Sequence, residues 1–525
     1  MALTSLQRDA TRAELGRAPY DLLVIGGGII GAGIANEASR AGLRVALVDR
    51  SDFGGATSSA SSKLIHGGLR YLRLGDVKLV REAHNERRAL LRVVAPHLVR
   101  RIPFLFPVYR GGPYRPATIQ AGLWTYSTLA GEKLGGLVRS ERALRSIPAL
   151  RLEGLRGCGV YQDAWTHDGR LCLSNVTAAA EAGATVLNFA EVADLRLVGG
   201  KVRGAELRDR VSGDAFSIEA RSVVNATGPW LETIRRLEEP GVAAYGQLSK
   251  GVHVTLPLDE PWSAALTIPH DQVRVTFAYP WEGMLLLGTT DTPYEGDPAD
   301  VAATEDDVDR ILAEAAVAVD PRLLQKANVL STYAGLRVLP RSDGSTVDAR
   351  RETAFLSGKG GMLTVAGGKL TTYRRIALDA LGRMSGELGL SNVNRRPVPL
   401  PGATDAGNVA ARIVSGWGLE PSVAAHLAHF YGSRADRVVG LAAERPELLE
   451  RLHPDAPDIA AQVVFAAQEE WATSADDVLQ RRTSLGARSL AGPELTSTVA
   501  ELLERASEDS SEPKQVYGAG GPRAL

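Results

Sequence analysis

The fold of the first part of the chain is decided by the stretch Tyr20-Asp-Leu-Leu-Val-Ile-Gly-Gly-Gly-Ile-Ile-Gly-Ala-Gly-Ile34. The apolar run Asp21–Ile25 leads into a glycine cluster, and a helical pattern follows from Ile29 to Ala41. A second apolar run then extends from Leu43 to Asp49. Two continuous apolar runs on either side of a helix indicate a βαβ unit with a buried parallel sheet.

The glycines of this stretch have the spacing Gly26-x-Gly28-x-x-Gly31, with Asp49 at the end of the second apolar run. Gly26 permits a tight turn, Gly28 lets the backbone approach a pyrophosphate, and Gly31 lets the helix pack closely on the strand. The start of the helix offers free N–H groups and partial positive charge to phosphates, and a carboxylate at Asp49 suits ribose hydroxyls. The combination predicts a Rossmann unit that binds a dinucleotide.

Composition limits the classes of protein to consider. A length of 525 residues favours two or three domains. Lys and Arg total 60 against 61 Asp and Glu, so no overall positive field exists to gather nucleic acid. The two cysteines, Cys158 and Cys172, are too few for a disulfide framework or a zinc site, and we expect no metal. The first twenty residues lack the apolar core of a secretory signal, and no apolar run is long enough to span a bilayer.

The rest of the chain is predicted from its periodicity and its turn residues. A helix is expected from Val77 to Val94, and a helix-free run of strands from Gly183 to Gly228. That run ends in Asn225-Ala-Thr-Gly228, which is typical of flavoproteins in which a returning strand closes over the flavin nucleotide, and it favours FAD over NAD. Further strands, a helix over Glu305–Val319 and a strand-glycine-helix passage over Leu363–Arg375 follow.

We therefore predict mixed α/β and α+β architecture in three parts. The FAD-binding domain is discontinuous and takes residues 18–99, 153–245 and 330–396, and a β-rich substrate or cap domain takes 100–152 and 246–329. After a Pro-rich linker, residues 397–506 form an all-α domain, because Ala, Leu, Glu and Arg recur there at helical spacing. The tail, residues 507–525, has the composition of a disordered segment.

Six passages resemble one family, the FAD-dependent, quinone-linked glycerol-3-phosphate dehydrogenases, in which the first two domains are built like those of glycine and D-amino-acid oxidases. The passages are Ala56-Thr-Ser-Ser-Ala-Ser-Ser-Lys-Leu-Ile-His-Gly-Gly-Leu-Arg-Tyr-Leu72, Asn225-Ala-Thr-Gly-Pro-Trp230, Lys250-Gly-Val-His253, Gly288-Thr-Thr-Asp-Thr292, Gly367-Gly-Lys-Leu-Thr-Thr-Tyr-Arg374 and Glu470-Trp-Ala-Thr-Ser-Ala-Asp-Asp-Val-Leu-Gln-Arg-Arg-Thr483. The resemblance extends from Tyr20 to about Ala506, and it departs from the family at Asp49, where glutamate is more usual.

The resemblance implies an activity and a set of partners. Members oxidise sn-glycerol 3-phosphate to dihydroxyacetone phosphate: a hydride leaves C2 for FAD, the C2 hydroxyl loses a proton, and a membrane quinone receives the electrons. The resemblance also implies a cytoplasmic protein attached peripherally to the inner face of the cell membrane, at an anionic surface. A homo-oligomer remains open.

Site residues follow from the motifs that resemble the family. A dianionic substrate needs several fixed cationic donors, and we expect these to be Arg70, Arg337 and Lys369, with His66 and Thr371 beside them. His253, in the alternating strand Val252–Leu256, is expected to take the hydroxyl proton, with Arg337 assisting. A lone strand histidine is otherwise more often a core or surface residue. The predicted contacts to FAD are Gly26, Gly28, Gly31, Asp49, Thr57, Ser58, Ser62, Gly228, Gly368 and Leu370. No His or Cys stands in a context that suggests covalent flavin.

Membrane attachment is predicted at Ile102–Leu129, where Phe104, Phe106 and Trp124 would enter the lipid and nearby arginines would meet anionic headgroups. The alternative is that these aromatic residues are core residues of a cap over the active site.

Two other functions remain open. The chain is either the predicted dehydrogenase or an FAD oxidase that uses dioxygen on glycerol 3-phosphate or on an amine. A non-catalytic flavoprotein scaffold is the third possibility.

Overall fold

The computed structural model describes residues 8–133, 135–271, 274–341 and 353–508, except 70, 71, 73 and 74. Two large sheets form the body of the molecule, and a helical unit follows them. The strands are β1 Tyr20–Ile25, β2 Val45–Val48, β3 Leu64–Ile65, β4 Arg100–Tyr109, β5 Gly136–Val138, β6 Leu155–Trp165, β7 Thr185–Leu187, β8 Ala190–Val198, β9 Lys201–Asp209, β10 Ala215–Asn225, β11 Gly246–Pro257, β12 Ala265–Pro269, β13 Val275–Trp281, β14 Met284–Gly288, β15 Thr292–Tyr294, β16 Ser331–Pro340, β17 Ala354–Ser357 and β18 Leu363–Ala366.

Helices cover both sheets and make up the C-terminal unit. They span Arg8–Leu15, Ile29–Arg40, Val77–Ala89, Pro116–Ala130, Ser140–Ser146, Asp168–Glu181, Leu231–Glu238, Glu305–Ala315, Tyr373–Arg383, Ser385–Leu388, Val409–Trp417, Pro421–Tyr431, Ala435–Gly440, Ala460–Glu469, Ala475–Asp477 and Pro493–Glu508. Two π-helical turns, Leu90–Val94 and Val478–Arg482, extend the helices that precede them, and the 3-10 turns are Gly228–Trp230, Pro298–Asp300, Lys326–Asn328, Leu370–Thr372, Gly432–Arg434 and Pro446–Leu449.

The first sheet contains the predicted βαβ unit. Its order is β17-β18-β10-β1-β2-β7, and β18, β10, β1, β2 and β7 run parallel. Every residue of β2 and β18 is buried, since helices on one face and the β8–β9–β10 meander on the other exclude water. The predicted Rossmann unit and the helix-free run after Gly183 are confirmed, as is the fold class.

The second sheet has the order β15-β11-β14-β13-β12-β4-β6-β3, with β16 beside β11 and β5 beside β6. Its pairs are antiparallel except for β12 and β4. The predicted domain boundaries need correction here, because β3, β6 and β16 were assigned to the FAD-binding domain and pair in this sheet instead. These strands bring residues of the first domain's segments to the junction between the sheets.

The C-terminal unit is helical, as predicted, and has a core of its own that contains residues such as Phe430, Val463 and Phe465. Its last helix continues to Glu508, two residues beyond the predicted end of the domain. The remainder of the predicted tail lies outside the described residues. No helix among the described residues is long and apolar enough to cross a membrane.

Candidate active site

The glycine turn after β1 is shaped by two close backbone approaches. Gly26 has a φ of +105°, and a Cβ there would lie 2.6 Å from the carbonyl oxygen of Ala226, the residue that follows the neighbouring strand β10. A Cβ on Gly31 would lie 1.8 Å from the carbonyl oxygen of Gly26. Only glycine fits either position, so the helix packs directly on the turn. Gly26 and Gly28 line the cavity beside the turn, whereas Gly31 lies on the side of the helix that packs against the turn.

The start of the helix Ile29–Arg40 lies beside the serine-rich loop of residues 57–62, which we call the serine loop. Gly28 precedes it in an extended conformation, and a Cβ there would lie 2.9 Å from Ser58 Oγ. Ser58 Oγ accepts a hydrogen bond from the Ile29 N–H at 2.8 Å, so the serine loop is held over the helix N-terminus. Partial positive charge at this end suits a phosphate group.

Asp49 is fixed at the end of β2. One carboxylate oxygen accepts the Gly27 N–H at 2.6 Å, and the other accepts the Ser51 N–H and hydroxyl at 2.8 and 2.9 Å. Burial raises the pKa of Asp49 to about 6, against the effect of these donors. The remaining lone pairs face the cavity and can accept hydrogen bonds from ribose hydroxyls.

One cavity of about 860 Å³ connects this turn with the second sheet. Most of the predicted site residues line it: Gly26, Gly28, Asp49, Thr57, Ser58, Ser62, His66, Gly228, His253, Arg337, Gly368, Lys369, Leu370 and Thr371. Arg70, the remaining predicted phosphate donor, lies outside the described residues. The tertiary structure therefore brings together residues that are up to 345 positions apart, from Gly26 to Thr371.

Two of the predicted flavin donors already have protein partners. The Thr57 hydroxyl donates to the Leu336 carbonyl oxygen at 2.8 Å, and Ser62 Oγ lies 3.0 Å from His253 Nε2. Thr57 thus fastens its loop to β16, and only its lone pairs remain for a cofactor. The Ser62 hydroxyl is therefore engaged by His253, a contact that the sequence did not predict.

His253 is enclosed in the second sheet. It is 2% exposed, and its ring stacks on that of Tyr333 with centroids 4.9 Å apart. Burial, followed by the positive charges of Arg337 and Lys63, holds the pKa of His253 well below its usual range. The imidazole is therefore neutral at neutral pH and has a nitrogen lone pair available to accept a proton.

The two predicted cations that line the cavity are Arg337 of β16 and Lys369, which precedes the turn Leu370–Thr372. The Arg337 guanidinium donates to Thr289 Oγ1 at 2.9 Å and to the Thr290 carbonyl oxygen at 3.2 Å. A Cβ on Gly251 would lie 2.3 Å from this guanidinium, so the Lys250-Gly-Val-His253 motif needs its glycine to admit the arginine.

His66 and Thr371 meet across the cavity wall. Thr371 Oγ1 accepts a hydrogen bond from the His66 N–H at 3.1 Å. This bond links the passage Ala56–Leu72 to the passage Gly367–Arg374. The residues around the glycine turn fit a dinucleotide: a helix start without a side chain at Gly28, an acid at the end of β2, and an open glycine at position 228.

Comparison with known proteins agrees with this geometry. Residues 21–374 match the family model described as FAD dependent oxidoreductase, and residues 395–513 match that of the C-terminal domain of alpha-glycerophosphate oxidase. The aerobic glycerol-3-phosphate dehydrogenase of Staphylococcus haemolyticus is 33% identical over 92% of this chain and 90% of its own length. The glycerol-3-phosphate dehydrogenase of Mycobacterium leprae is 36% identical over 99% of this chain and 91% of its own.

The chain belongs to the FAD-dependent glycerol-3-phosphate dehydrogenase family. A solved structure of the glycerol-3-phosphate dehydrogenase from Bacillus halodurans complexed with FAD has a TM-score of 0.76 and 28% identity, and covers 98% of this chain and all of that one. The family resemblance predicted from the motifs is confirmed, and FAD is the cofactor of this flavoprotein.

The C-terminal unit of this family member is joined to the FAD-binding part by buried ion pairs. Asp52, 2% exposed, accepts hydrogen bonds from both Arg481 and Arg482. Arg170 pairs with Glu470 at 2.6 Å, and both side chains are buried. The motif Glu470–Thr483, which carried the resemblance in this region, therefore holds the helical unit against the loop that follows β2.

The predicted membrane segment of this dehydrogenase-family chain is largely a core element. Phe104 and Phe106 are 1% and 4% exposed in β4, and Tyr126 is 1% exposed. The prediction that the aromatic cluster Phe104–Phe106 enters lipid is wrong, because these side chains fill the space between the sheet and the helix Pro116–Ala130. Phe104 and Phe106 are core residues, as the alternative expected, and residues of this helix such as Ile119 and Leu123 line the cavity. We call this helix the cap helix. Trp124, 51% exposed on its outer face, is the exception.

Two buried groups beside the cavity were missed by sequence reasoning. Lys63 Nζ pairs with Asp168 at 2.7 Å under the serine loop, and Lys63 stands inside a family-like motif that could have indicated it. Asp163 of β6 lines the cavity wall, and no motif or spacing in the sequence singles it out.

Proposed function

We propose that this chain oxidises sn-glycerol 3-phosphate to dihydroxyacetone phosphate and passes the electrons to a membrane quinone. One observation carries the proposal: a neutral, buried histidine and the two predicted cations, Arg337 and Lys369, line the same cavity as the glycine turn. A phosphate dianion needs cations, and an alcohol that loses hydride needs a base for its proton. The names of the relatives support the same substrate.

The phosphate and the hydroxyls are assigned to Arg337 and Lys369. Arg337 is held by Thr289 and by the Thr290 carbonyl oxygen, so its planar donors are fixed before substrate arrives. Lys369 follows two glycines at the start of a helical segment, where an anion is favoured. Together they orient C2 of the substrate with its hydroxyl toward the histidine.

The proton of the C2 hydroxyl is assigned to His253. FAD, when bound, supplies the hydride acceptor for C2. Burial, together with the neighbouring positive charges of Arg337 and Lys63, keeps the imidazole neutral before the reaction, and Ser62 fixes the orientation of its ring through Nε2. The loss of the proton leaves the oxygen free to form the carbonyl of the product.

Anaerobic reduction tests the substrate. We expect glycerol 3-phosphate to bleach the flavin absorbance of the purified protein, and glycerol, which has no phosphate, to do so very poorly. Glycine and proline serve as controls for the amine-oxidase alternative. A flavin that stays oxidised with glycerol 3-phosphate and is bleached by an amine would refute the proposed substrate.

The electron acceptor is assigned from the apolar residues of the cavity. Phe104, Phe106 and Tyr114 line it together with Ile119 and Leu123 of the cap helix. This apolar lining suits a quinone ring better than a polar electron carrier. We expect rapid turnover with a soluble quinone and little hydrogen peroxide without it. Peroxide release at the same rate with or without the quinone would instead identify an oxidase.

Attachment to an anionic membrane is assigned to the outer face of the cap helix, where Trp124 and Arg115 are exposed. The test is flotation with anionic liposomes at low salt. Arg115→Glu combined with Trp124→Ala should reduce flotation and leave dye-linked activity intact. Leu197→Ala, on a side chain equally exposed at 51% in β8, is the matched control. Equal flotation of both variants would refute this assignment.

A further inference from the structure

Asp163 receives donors from three different elements. Tyr126 of the cap helix donates its hydroxyl to Oδ2 at 2.8 Å, and the Gly67 N–H donates to Oδ1 at 3.2 Å. Arg87, of the helix Val77–Ala89, forms an ion pair with the same carboxylate. Asp163 is 3% exposed, and it lines the cavity without belonging to the predicted site.

The segment His66–Gly67 is held from both sides. Asp163 accepts the N–H of Gly67, while Thr371 accepts the N–H of His66 at 3.1 Å. The ring of His84 presses on the same peptide, since a Cβ on Gly67 would lie 2.2 Å from His84 Cε1. Burial lowers the pKa of His84 to about 3, so the ring packs there as a neutral group.

We propose that Asp163 is a positioning residue that fixes the His66–Gly67 backbone in the cavity wall and joins it to the cap helix through Tyr126. The inference rests on the proposed function, because the motifs predict that His66 contacts the substrate beside Arg337 and Lys369, and all three residues line the cavity. A shift of this backbone would move the His66 side chain relative to Arg337 and Lys369. Asp163 acts through His66 and does not itself carry out a chemical step.

The charge of Asp163 is balanced locally. Burial raises the pKa of its carboxyl group, but the Arg87 guanidinium, the Tyr126 hydroxyl and the Gly67 N–H counteract that effect. Arg87 in turn pairs with Glu132 at 2.8 Å, just beyond the C-terminal end of the cap helix. Arg87, Tyr126 and Gly67 each hold the Asp163 carboxylate from a fixed direction. Loss of the Tyr126 hydroxyl should therefore loosen the link to the cap helix, while Arg87 still neutralises the charge of Asp163.

Tyr126→Phe is the primary test, because it removes one hydroxyl and keeps the ring that packs on His84. We expect the rate of flavin reduction at low glycerol 3-phosphate to fall about tenfold, with the FAD content unchanged. Tyr109→Phe is the matched control, since it removes a tyrosine hydroxyl from β4 that donates to the Arg151 carbonyl oxygen and does not line the cavity. A melting temperature lowered equally in both variants, with normal reduction rates, would overturn the proposal.

A double-mutant cycle tests whether the effect passes through His66. In the His66→Ala background, Tyr126→Phe should change the reduction rate less than twofold, because the group being positioned is gone. Equal fold-losses in both backgrounds would overturn the proposal. Asp163→Asn should repeat the loss seen with Tyr126→Phe if the variant folds. Failure of the wild-type protein to react would refute the proposed function, whereas a reactive wild type with an equally reactive Tyr126→Phe would refute only this inference.

Discussion

Replacement of His253 gives the sharpest test of the proposed chemistry. The ring is 2% exposed, it lies 3.0 Å from Ser62 Oγ, and it stacks on Tyr333. His253→Asn keeps a polar side chain near Ser62 but removes the base. A positioned base contributes roughly a hundredfold or more, which corresponds to about 2.7 kcal/mol of transition-state stabilisation.

The assay is stopped-flow flavin reduction under anaerobic conditions, with FAD content measured on the same samples. His253→Asn and His253→Ala should both be slowed about a hundredfold and remain flavinated. Ser62→Ala, which removes one hydrogen bond, should cost about 1 kcal/mol, or roughly fivefold. His426→Asn is the control, because His426 is also buried but bonds Asp458 in the helical unit. It should lower stability and leave the rate intact.

The pH dependence of the same reaction has a defined sign. Because the pKa of His253 lies well below its usual range, the base is already neutral at pH 6.5, and the rate should be flat from there to pH 8. The activity should decline only at more acidic pH, where the imidazole is protonated. An acid limb centred at pH 6.5 or above that vanishes in His253→Asn would refute the lowered pKa. Parallel loss of flavin and rate would make His253 a structural residue.

Three further predictions concern the cofactor, the substrate and the domain junction. Gly28→Val places a side chain within 2.9 Å of Ser58 Oγ at the helix start, and the protein should purify mainly without FAD; full flavin content by absorbance would contradict this. Lys369→Ala should weaken the binding of glycerol 3-phosphate by about 2–4 kcal/mol, and unchanged steady-state kinetics would show that Lys369 does not hold the substrate. Asp52→Ala leaves Arg482 buried without its carboxylate, while Arg481 keeps Asp477, and should destabilise the protein by about 3–5 kcal/mol in chemical unfolding. A stability within 1 kcal/mol of wild type, an interval of about the size expected for a neutral surface change, would show that the junction is not held by this group.

Much of the first domain follows from local pattern. The spacing from Gly26 to Gly31 determines the turn because any Cβ at either position would collide with backbone. The helix Ile29–Arg40 and the parallel strands β1 and β2 follow from apolar periodicity that the chain carries over short distances. Composition and helical spacing likewise determined the C-terminal helical unit without any tertiary information.

Only the tertiary structure decided which sheet each strand joins. β6 and β16 lie in sequence segments attributed to the FAD-binding domain, but pair with β4 and β11. Strand pairing over such separations depends on which edges meet after collapse, and an individual strand carries no mark of its partner. The burial of Phe104 and Phe106 was decided in the same way, since an apolar run reads alike whether it meets lipid or a covering helix.

The candidate site was likewise predicted only in part from the sequence. Motifs indicated His253, Arg337 and Lys369, but not that all three would line one cavity with the glycine turn, nor that burial and the charges of Arg337 and Lys63 would lower the pKa of His253. Asp163 had no signal at all, because a single acid in a strand is recognisable only by the donors that folding brings to it. The sequence by itself determined the cofactor-binding turn and the residue types of the site. Their distances, burial and electrostatic coupling arise from contacts between distant segments, which local pattern cannot encode.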